Sequence, residues 1–493
     1  MELMKKMNIS MALAWLITGM VFFCSCSGSD YINAIPANSS ALISIDMQKM
    51  AESNPQASKT GVLKSLLHVE DVTDCGIDVS EKMYLFETVD GNLGLCAKVS
   101  DAADLEDWLN QLSKEQKLCE NVTEKKGFHF SVLKNSWLVG FSDQALLIMG
   151  PVVADAQAEL QRMMIKYLKA DEEHGIQSSP MFERLDSISS PMALVAQAQA
   201  LPEKFVAPFT LGAPKNADAS QIVIAAEMNL QKGMLRIKGE TFSFNPDINQ
   251  ALQSAVASYR PIQGKYLESM PDDATAGIFM NVDGKKFLPM MQTNKGIQQL
   301  LLGINAAIDM DNIIRSVNGD MAIVLPSFSD ANLKMTMAAQ LAHYQWLADV
   351  DYWKESCPKG ASIADWGKNA YYYTDGKTSF YFGVSDDKQF FSGSDELLAS
   401  YAIKRSNHPV SADIRKEIKG QKLAMVINLN KTGNSGDVMA AVTSLLSPIF
   451  GNLNSCLLYT SPSPRDGLSF FNIYQSGNNS VSICSPSGLC AAQ

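Results

Sequence analysis

Along most of the chain apolar residues recur at two spacings. They fall at every second position in short runs and at every third or fourth in longer ones. The first pattern predicts half-buried strands and the second amphipathic helices. Residues 41–46 read as a short strand after a Pro turn. Ser100 or Asp101 caps a helix whose Leu105, Trp108, Leu109 and Leu112 share one face. Residues 128–133 and 137–141 form a hairpin around Lys134-Asn135-Ser136, and residues 153–169 an amphipathic helix. A second hairpin, 222–230 with 234–244, turns through Gln231-Lys232-Gly233, and a helix follows over 249–259. Hairpins interspersed with helices predict an α+β fold built on antiparallel sheet, not a doubly wound parallel one.

The pattern occurs twice. Tyr31-Ile32-Asn33-Ala34-Ile35-Pro36 matches Tyr266-Leu267-Glu268-Ser269-Met270-Pro271, and Leu66-Leu67 falls over Leu301-Leu302. Trp108-Leu109 then aligns with Trp346-Leu347, Cys119 with Cys357, and Trp137 to Asp143 with Phe380 to Asp386. The turn matching Lys134-Asn135-Ser136 is Thr374-Asp375-Gly376-Lys377, whose Asp-Gly is a strong hairpin signal. Solenoid units repeat every ~20–50 residues, so a period this long indicates two tandem homologous domains. Each would hold an antiparallel sheet with hairpins and packed helices, over residues 31–262 and 263–455. Both tryptophans are expected on the core face of equivalent helices. In the second copy residues 423–429 match the 193–199 strand, and a helix is expected over 437–450.

The two ends read differently. Residues 1–25 have a basic start at Lys5 and Lys6 and an uncharged apolar run over 7–23, and Ser25 precedes Cys26. This resembles a bacterial lipoprotein signal, with Cys26 as the lipid-attachment residue and 26–30 as the anchor linker. An uncleaved membrane helix is the alternative. The run falls a little short of the ~20 residues a span needs, and its flanks favour cleavage. At the other end, Cys456-Leu457-Leu458-Tyr459-Thr460-Ser461-Pro462-Ser463-Pro464-Arg465-Asp466 reads, codon for codon, as a translated sequencing-library adapter. Residues 456–493 are therefore expected to be an assembly artefact and unstructured, the alternative being a Ser/Pro-rich natural tail. The second domain should then lack its last hairpin and helix and expose a sheet edge.

Over the whole chain the composition is that of a globular protein, 46% apolar and 19% charged. The net charge of −11 argues against a sequence-independent grip on nucleic acid, which needs a basic surface. It also argues against electrostatic binding to anionic lipid, leaving an acyl anchor as the route to the membrane. Cys75, Cys96, Cys119 and Cys357 show no Cys-x-x-Cys spacing, so no zinc or thioredoxin-like site is expected. Cys75 with Cys96 is the one pair worth testing as a disulfide. Buried thiols are the favoured state of all four.

No hydrolase elbow, zinc-protease helix or Rossmann glycine fingerprint is present, and no catalytic, metal or cofactor site is expected. Gly376-Lys377-Thr378 looks like the end of a phosphate loop, but Tyr371 stands where the upstream glycine belongs, so it reads as a hairpin turn. Asp309-Met310-Asp311-Asn312, with Asp320 twelfth, imitates a calcium loop without its central glycine and reads as a helix start. His68, His129, His174, His343 and His408 share no ligand spacing. Trp353, Trp366, Tyr371, Tyr372, Tyr373, Phe380, Tyr381, Phe382, Phe390 and Phe391 crowd the second copy. Such aromatics can stack on sugars. Strand alternation favours a plainer reading, in which half face the core and the rest form cross-strand pairs.

The signal, Ser29-Asp30-Tyr31-Ile32-Asn33-Ala34-Ile35-Pro36, and Gly76-Ile77-Asp78-Val79 before Met83-Tyr84-Leu85-Phe86 together resemble the lipoproteins of Bacteroides and relatives grouped as domain of unknown function 4836. The resemblance spans Ser29 to about Asn454. It implies a Gram-negative cell envelope, with the outer membrane the expected site and its inner or outer face left open. It implies no activity and no catalytic residues. The function expected is that of a non-enzymatic envelope lipoprotein that binds or scaffolds a protein or glycan. The alternative is a glycan- or peptide-acting hydrolase with an unrecognised site.

Overall fold

The computed structural model describes residues 29–53, 75–116, 118–201, 210–231, 234–293, 298, 305, 307–329, 332–376, 378–428 and 455–460. Cys26 with its signal, the helix expected over 437–450 and residues 461–493 lie outside the described residues.

The first half contributes β1 (Ala41–Ile45), β2 (Met83–Glu87), β3 (Leu93–Lys98), β4 (Thr123–Lys125), β5 (Phe128–Leu133), β6 (Trp137–Phe141), β7 (Ala145–Gly150), β8 (Met192–Gln197), β9 (Val223–Gln231) and β10 (Met234–Phe242). The second contributes β11 (Tyr259–Arg260), β12 (Ala276–Asp283), β13 (Val317–Ser329), β14 (Asn332–Leu341), β15 (Ser362–Gly367), β16 (Ala370–Thr374), β17 (Ser379–Val384), β18 (Gln389–Gly393), β19 (Leu423–Asn428) and β20 (Ser455–Thr460). Ten helices lie among the described residues. They are α1 (Met47–Ser53), α2 (Ala102–Gln116), α3 (Ala154–Tyr167), α4 (Pro180–Asp186), α5 (Pro246–Val256), α6 (Gly284–Thr293), α7 (Met310–Ser316), α8 (Val350–Ser356), α9 (Glu396–Tyr401) and α10 (Ala412–Ile418).

Hydrogen-bonded neighbours in the first half run β4-β5-β6-β7-β3-β2-β1-β8-β9-β10. In the second they run β15-β16-β17-β18-β14-β13-β12-β19-β20, with β11 beside the end of β12. The strand order of one half thus reappears in the other. The local signals act as expected. Lys134 and Asn135 take φ of 48° and 62°, the left-handed pair at the centre of a tight turn that the Ser136 amide closes by donating to the Leu133 carbonyl. Asp101 accepts from the amides of Ala103 and Asp104 at the start of α2. The helix expected over 249–259 begins earlier, at Pro246. Asn245 caps it by accepting from Asp247 and Ile248, and proline suits a first helical position. Tyr259 leaves that helix for β11, where it pairs with Val282.

Three expectations need correction. Residues 456–460 are not unstructured: they belong to β20, which pairs antiparallel with β19 and parallel with β10. The physical reason is the open edge itself. Unpaired backbone groups on β10 and β19 gain partners, Leu457 fills the cluster behind β12 and β19, and Cys456 fills another beside β10. It follows that the halves do not carry separate sheets. All twenty strands form one sheet, joined at the only parallel pairing among the described residues. Arg236 reinforces that seam, donating Nε and Nη2 to the two carboxylate oxygens of Glu417 at 2.8 Å each. The boundary expected at residue 262 is crossed too, since Leu211, Ala255 and Tyr259 pack into the second half's core.

The second correction concerns cysteine. Cys96 keeps its thiol, which donates to the Tyr31 carbonyl, and Cys75 lies in a different cluster with Ala97. Because successive residues of β3 point to opposite faces, the sheet stands between the two sulfurs and no bridge can form. The third concerns tryptophan. Trp346 is buried, but on the short 3-10 turn Gln345–Asp349 ahead of α8. Trp108 on α2 is only half-buried, because Leu105, Leu109 and Leu112 take the centre of that contact.

Candidate functional site

The four-stranded ribbon β15-β16-β17-β18 carries the aromatic crowd, and alternation sorts it. Ile363, Tyr373, Phe382 and Phe390 are buried with Trp346 and Trp353 in the second half's core. Trp346 stacks on Trp353 at 5.9 Å, with the planes 10° apart. So far the plain reading holds. The other face carries Trp366, Tyr372, Tyr381 and Phe391. Tyr372 pairs with Tyr381, Tyr381 with Gly393, and Phe391 with Gly383, so these side chains stand on one side of the ribbon. Trp366 lies edge-on to Tyr381 at 4.9 Å, and Tyr372 leans on Tyr381 at 4.7 Å. All four are half-buried, chiefly by one another.

What leaves this face open is the helix above it. In the first half the same register positions are Leu138, Gly140, Leu147 and Met149, and they are closed over by the fourteen-residue α3. Met164 of α3 comes so near Gly140 that a Cβ there would lie 3.0 Å from its terminal carbon. In the second half the corresponding helix, α9, has six residues. It crosses at Gly393, where a Cβ would stand 2.2 Å from the Ala399 nitrogen, and it packs on β14, β17 and β18. Leu397 and Tyr401 of α9 are 66% and 54% exposed. Burial, with Glu396 nearby, raises the Tyr381 hydroxyl above its ordinary range, so it is a neutral donor at physiological pH. Aromatic faces with hydroxyl and indole N–H groups at their edges offer one apolar and one hydrogen-bonding surface.

The other residues singled out in the sequence lie elsewhere. Gly376, at φ 83°, occupies a turn in which the Asp375 amide donates to the Thr378 carbonyl, and Lys377 lies outside the described residues. Asp309 caps α7 by accepting from the Asn312 amide. Asp311 accepts from Gln292 and Asn305, and Asp320 lies on a strand, so the calcium-like run does not converge. His129 is 3.1 Å from Glu106 and stacks on Phe141, while His174 pairs with Asp171 on the surface. Among the described residues no three His, Cys, Asp or Glu side chains gather as a metal site, and no helix is long and apolar enough to cross a membrane.

A family model described as "Domain of unknown function (DUF4836)" matches residues 31–433. The chain belongs to the DUF4836 family. No curated protein matches it. Two solved structures align with this DUF4836 chain over 76% of its length. They are crystal form III of TP0453, at 8% identity, 97% coverage of that chain and a TM-score of 0.25, and crystal form I, at 10%, 96% and 0.20. Likeness at those scores transfers neither fold nor function.

Proposed function

We propose that this DUF4836 protein is a lipid-anchored, non-enzymatic binding protein of the Gram-negative cell envelope, and that its aromatic face holds a glycan. The observation that carries the reading is the contrast between equivalent ribbons. One is sealed by a long helix over aliphatic residues, the other left open over Trp366, Tyr372 and Tyr381. Exposed apolar patches of this kind mark interaction surfaces, and ring faces edged with donors match the C–H faces and hydroxyls of pyranose sugars. The shared strand order supports reading the halves as tandem homologous units, of which the second has turned a buried face outward.

The anchor rests on Cys26 and the residues around it, since several acyl chains on one residue give stable attachment where one chain does not. Cys26→Ala should abolish incorporation of a clickable fatty acid in cells, and label persisting in that variant would remove the assignment. For the face, the protein is titrated with envelope and dietary polysaccharides while tryptophan fluorescence is followed. Binding that disappears in Trp366→Ala/Tyr381→Ala, with an unchanged circular dichroism spectrum, is the expected result. Glycan binding that survives the double change, or no glycan bound at all, would overturn the proposal.

A further inference from the structure

A second feature lies where the chain crosses between the halves. A cleft of about 720 Å³ opens there, lined by Arg260, Gln263, Asn281, Asn318, Gln340 and Lys419. Beneath it Asp320, buried on β13, accepts from three successive backbone amides, Gln263, Gly264 and Lys265, at 2.9, 2.6 and 2.8 Å. It also accepts from Asn281 Nδ2 at 2.8 Å. Asp320 is thereby saturated, and its partners are fixed in turn. Asn281, 2% exposed, must turn its amide nitrogen to the carboxylate, so its Oδ1 is an acceptor, and that oxygen has no partner among the described residues. Gln340 Oε1 takes the Asp320 amide and Asn318 Oδ1 takes Arg260 Nη2, which fixes both amide planes and leaves their N–H groups unspent as donors. Arg260 and Lys419 bring two positive charges, and among the described residues neither meets a carboxylate in an ion pair.

The inventory is therefore two cations, two amide donors at the rim, and one unsatisfied acceptor at the floor. Leaving a buried acceptor unpaired is costly. We infer that this cleft is a binding site for a small hydroxylated anion, its carboxylate or phosphate held by Arg260 and Lys419 and a hydroxyl donating to Asn281 Oδ1. Sugar acids and sugar phosphates share that chemistry. The site is separate from the aromatic face, and either can fail without the other.

The test is calorimetric titration of the full chain with glucuronate, glucose 6-phosphate, inorganic phosphate and glucose. Binding of glucuronate or glucose 6-phosphate, weakened by at least about tenfold in Arg260→Gln/Lys419→Gln, is expected, because charged hydrogen bonds are lost. Which of the two binds tells the carboxylate source from the phosphate source. Glucose binding as tightly as either, or an unaltered affinity in the double variant, would overturn the anion assignment. Inorganic phosphate binding as tightly as the hydroxylated ligands would overturn the role of Asn281. Failure of all four to bind would overturn the site. The double variant leaves the Asp320 network intact, so its fold can be checked independently by its melting temperature.

Discussion

Removing the Asp320 carboxylate should unfasten the segment that joins the halves. The side chain is buried and takes four hydrogen bonds, three from the backbone of residues 263–265 and one from Asn281. A hydrogen bond to a charged acceptor contributes about 1.5–3 kcal/mol. Gln263 and Lys265 are exposed, so water can replace the carboxylate at those amides, whereas Asn281 is buried. Counting the Asn281 and Gly264 bonds in full and discounting the other two gives about 3–6 kcal/mol for Asp320→Ala. Asp320→Asn keeps the volume but turns one amide nitrogen toward backbone donors, so a loss of about 2–3 kcal/mol is expected. Urea unfolding followed by circular dichroism measures both, and the order parent, Asn, Ala is part of the prediction. Tryptic cleavage at Lys265 gives a local readout and should quicken in the same order. An Asp320→Ala protein within about 1 kcal/mol of the parent, with Lys265 equally protected, would refute the reasoning.

Trp346→Ala should cost about 3–5 kcal/mol in the same assay, since the ring is stacked on Trp353 and edge-on to Phe390, whereas half-buried Trp108 should cost less when truncated. Cys456 in β20 has its thiol pushed up to about 12 by burial, so at pH 8 iodoacetamide should leave it unlabelled until urea unfolds the chain. Rapid labelling in the native state would show that β20 is not docked. Asp78 is held below the ordinary carboxylate range because hydrogen bonds from Ser80 and Lys98 outweigh the opposing effect of burial. Its stabilisation is therefore present above the unfolded value of about 4 and lost as pH falls through the lower folded one, and Asp78→Asn should flatten that acid limb.

Local pattern revealed much of the fold. The hairpin at Lys134-Asn135, the Asp-Gly turn at 375–376 and the alternation that sends Phe382 inward and Tyr381 outward are decided by neighbouring residues. The aromatic crowd was visible in the sequence for the same reason. That its outer half stays open was not, because openness depends on the six-residue length of α9 set against the fourteen of α3. The cleft was invisible. Arg260, Asn281, Asn318 and Gln340 are ordinary polar residues until the pairing of β11, β12, β13 and β14 draws them together, and Lys419 joins them where Gly420 and Gln421 hydrogen-bond with Ile262. That residues 456–460 form a strand was not legible, because the run resembles foreign coding and has no sustained period. What decides its structure is a vacant position between β10 and β19 and residues able to fill it.

The continuous sheet also fixes a length. The turn at Asp30–Ala34 packs beside β3, close to the proposed anchor, and the aromatic face begins at β18, with Phe391. Between β3 and β18 the ladder takes eleven strand-to-strand steps. At ~4.8 Å a step that is on the order of 50–55 Å of contour along the sheet. A flexible tether of equal contour would fluctuate and recoil toward the membrane. A hydrogen-bonded ladder keeps its strand spacing, so with the proposed anchor at Cys26 the outer ribbon is held a fixed number of strands from the point of attachment.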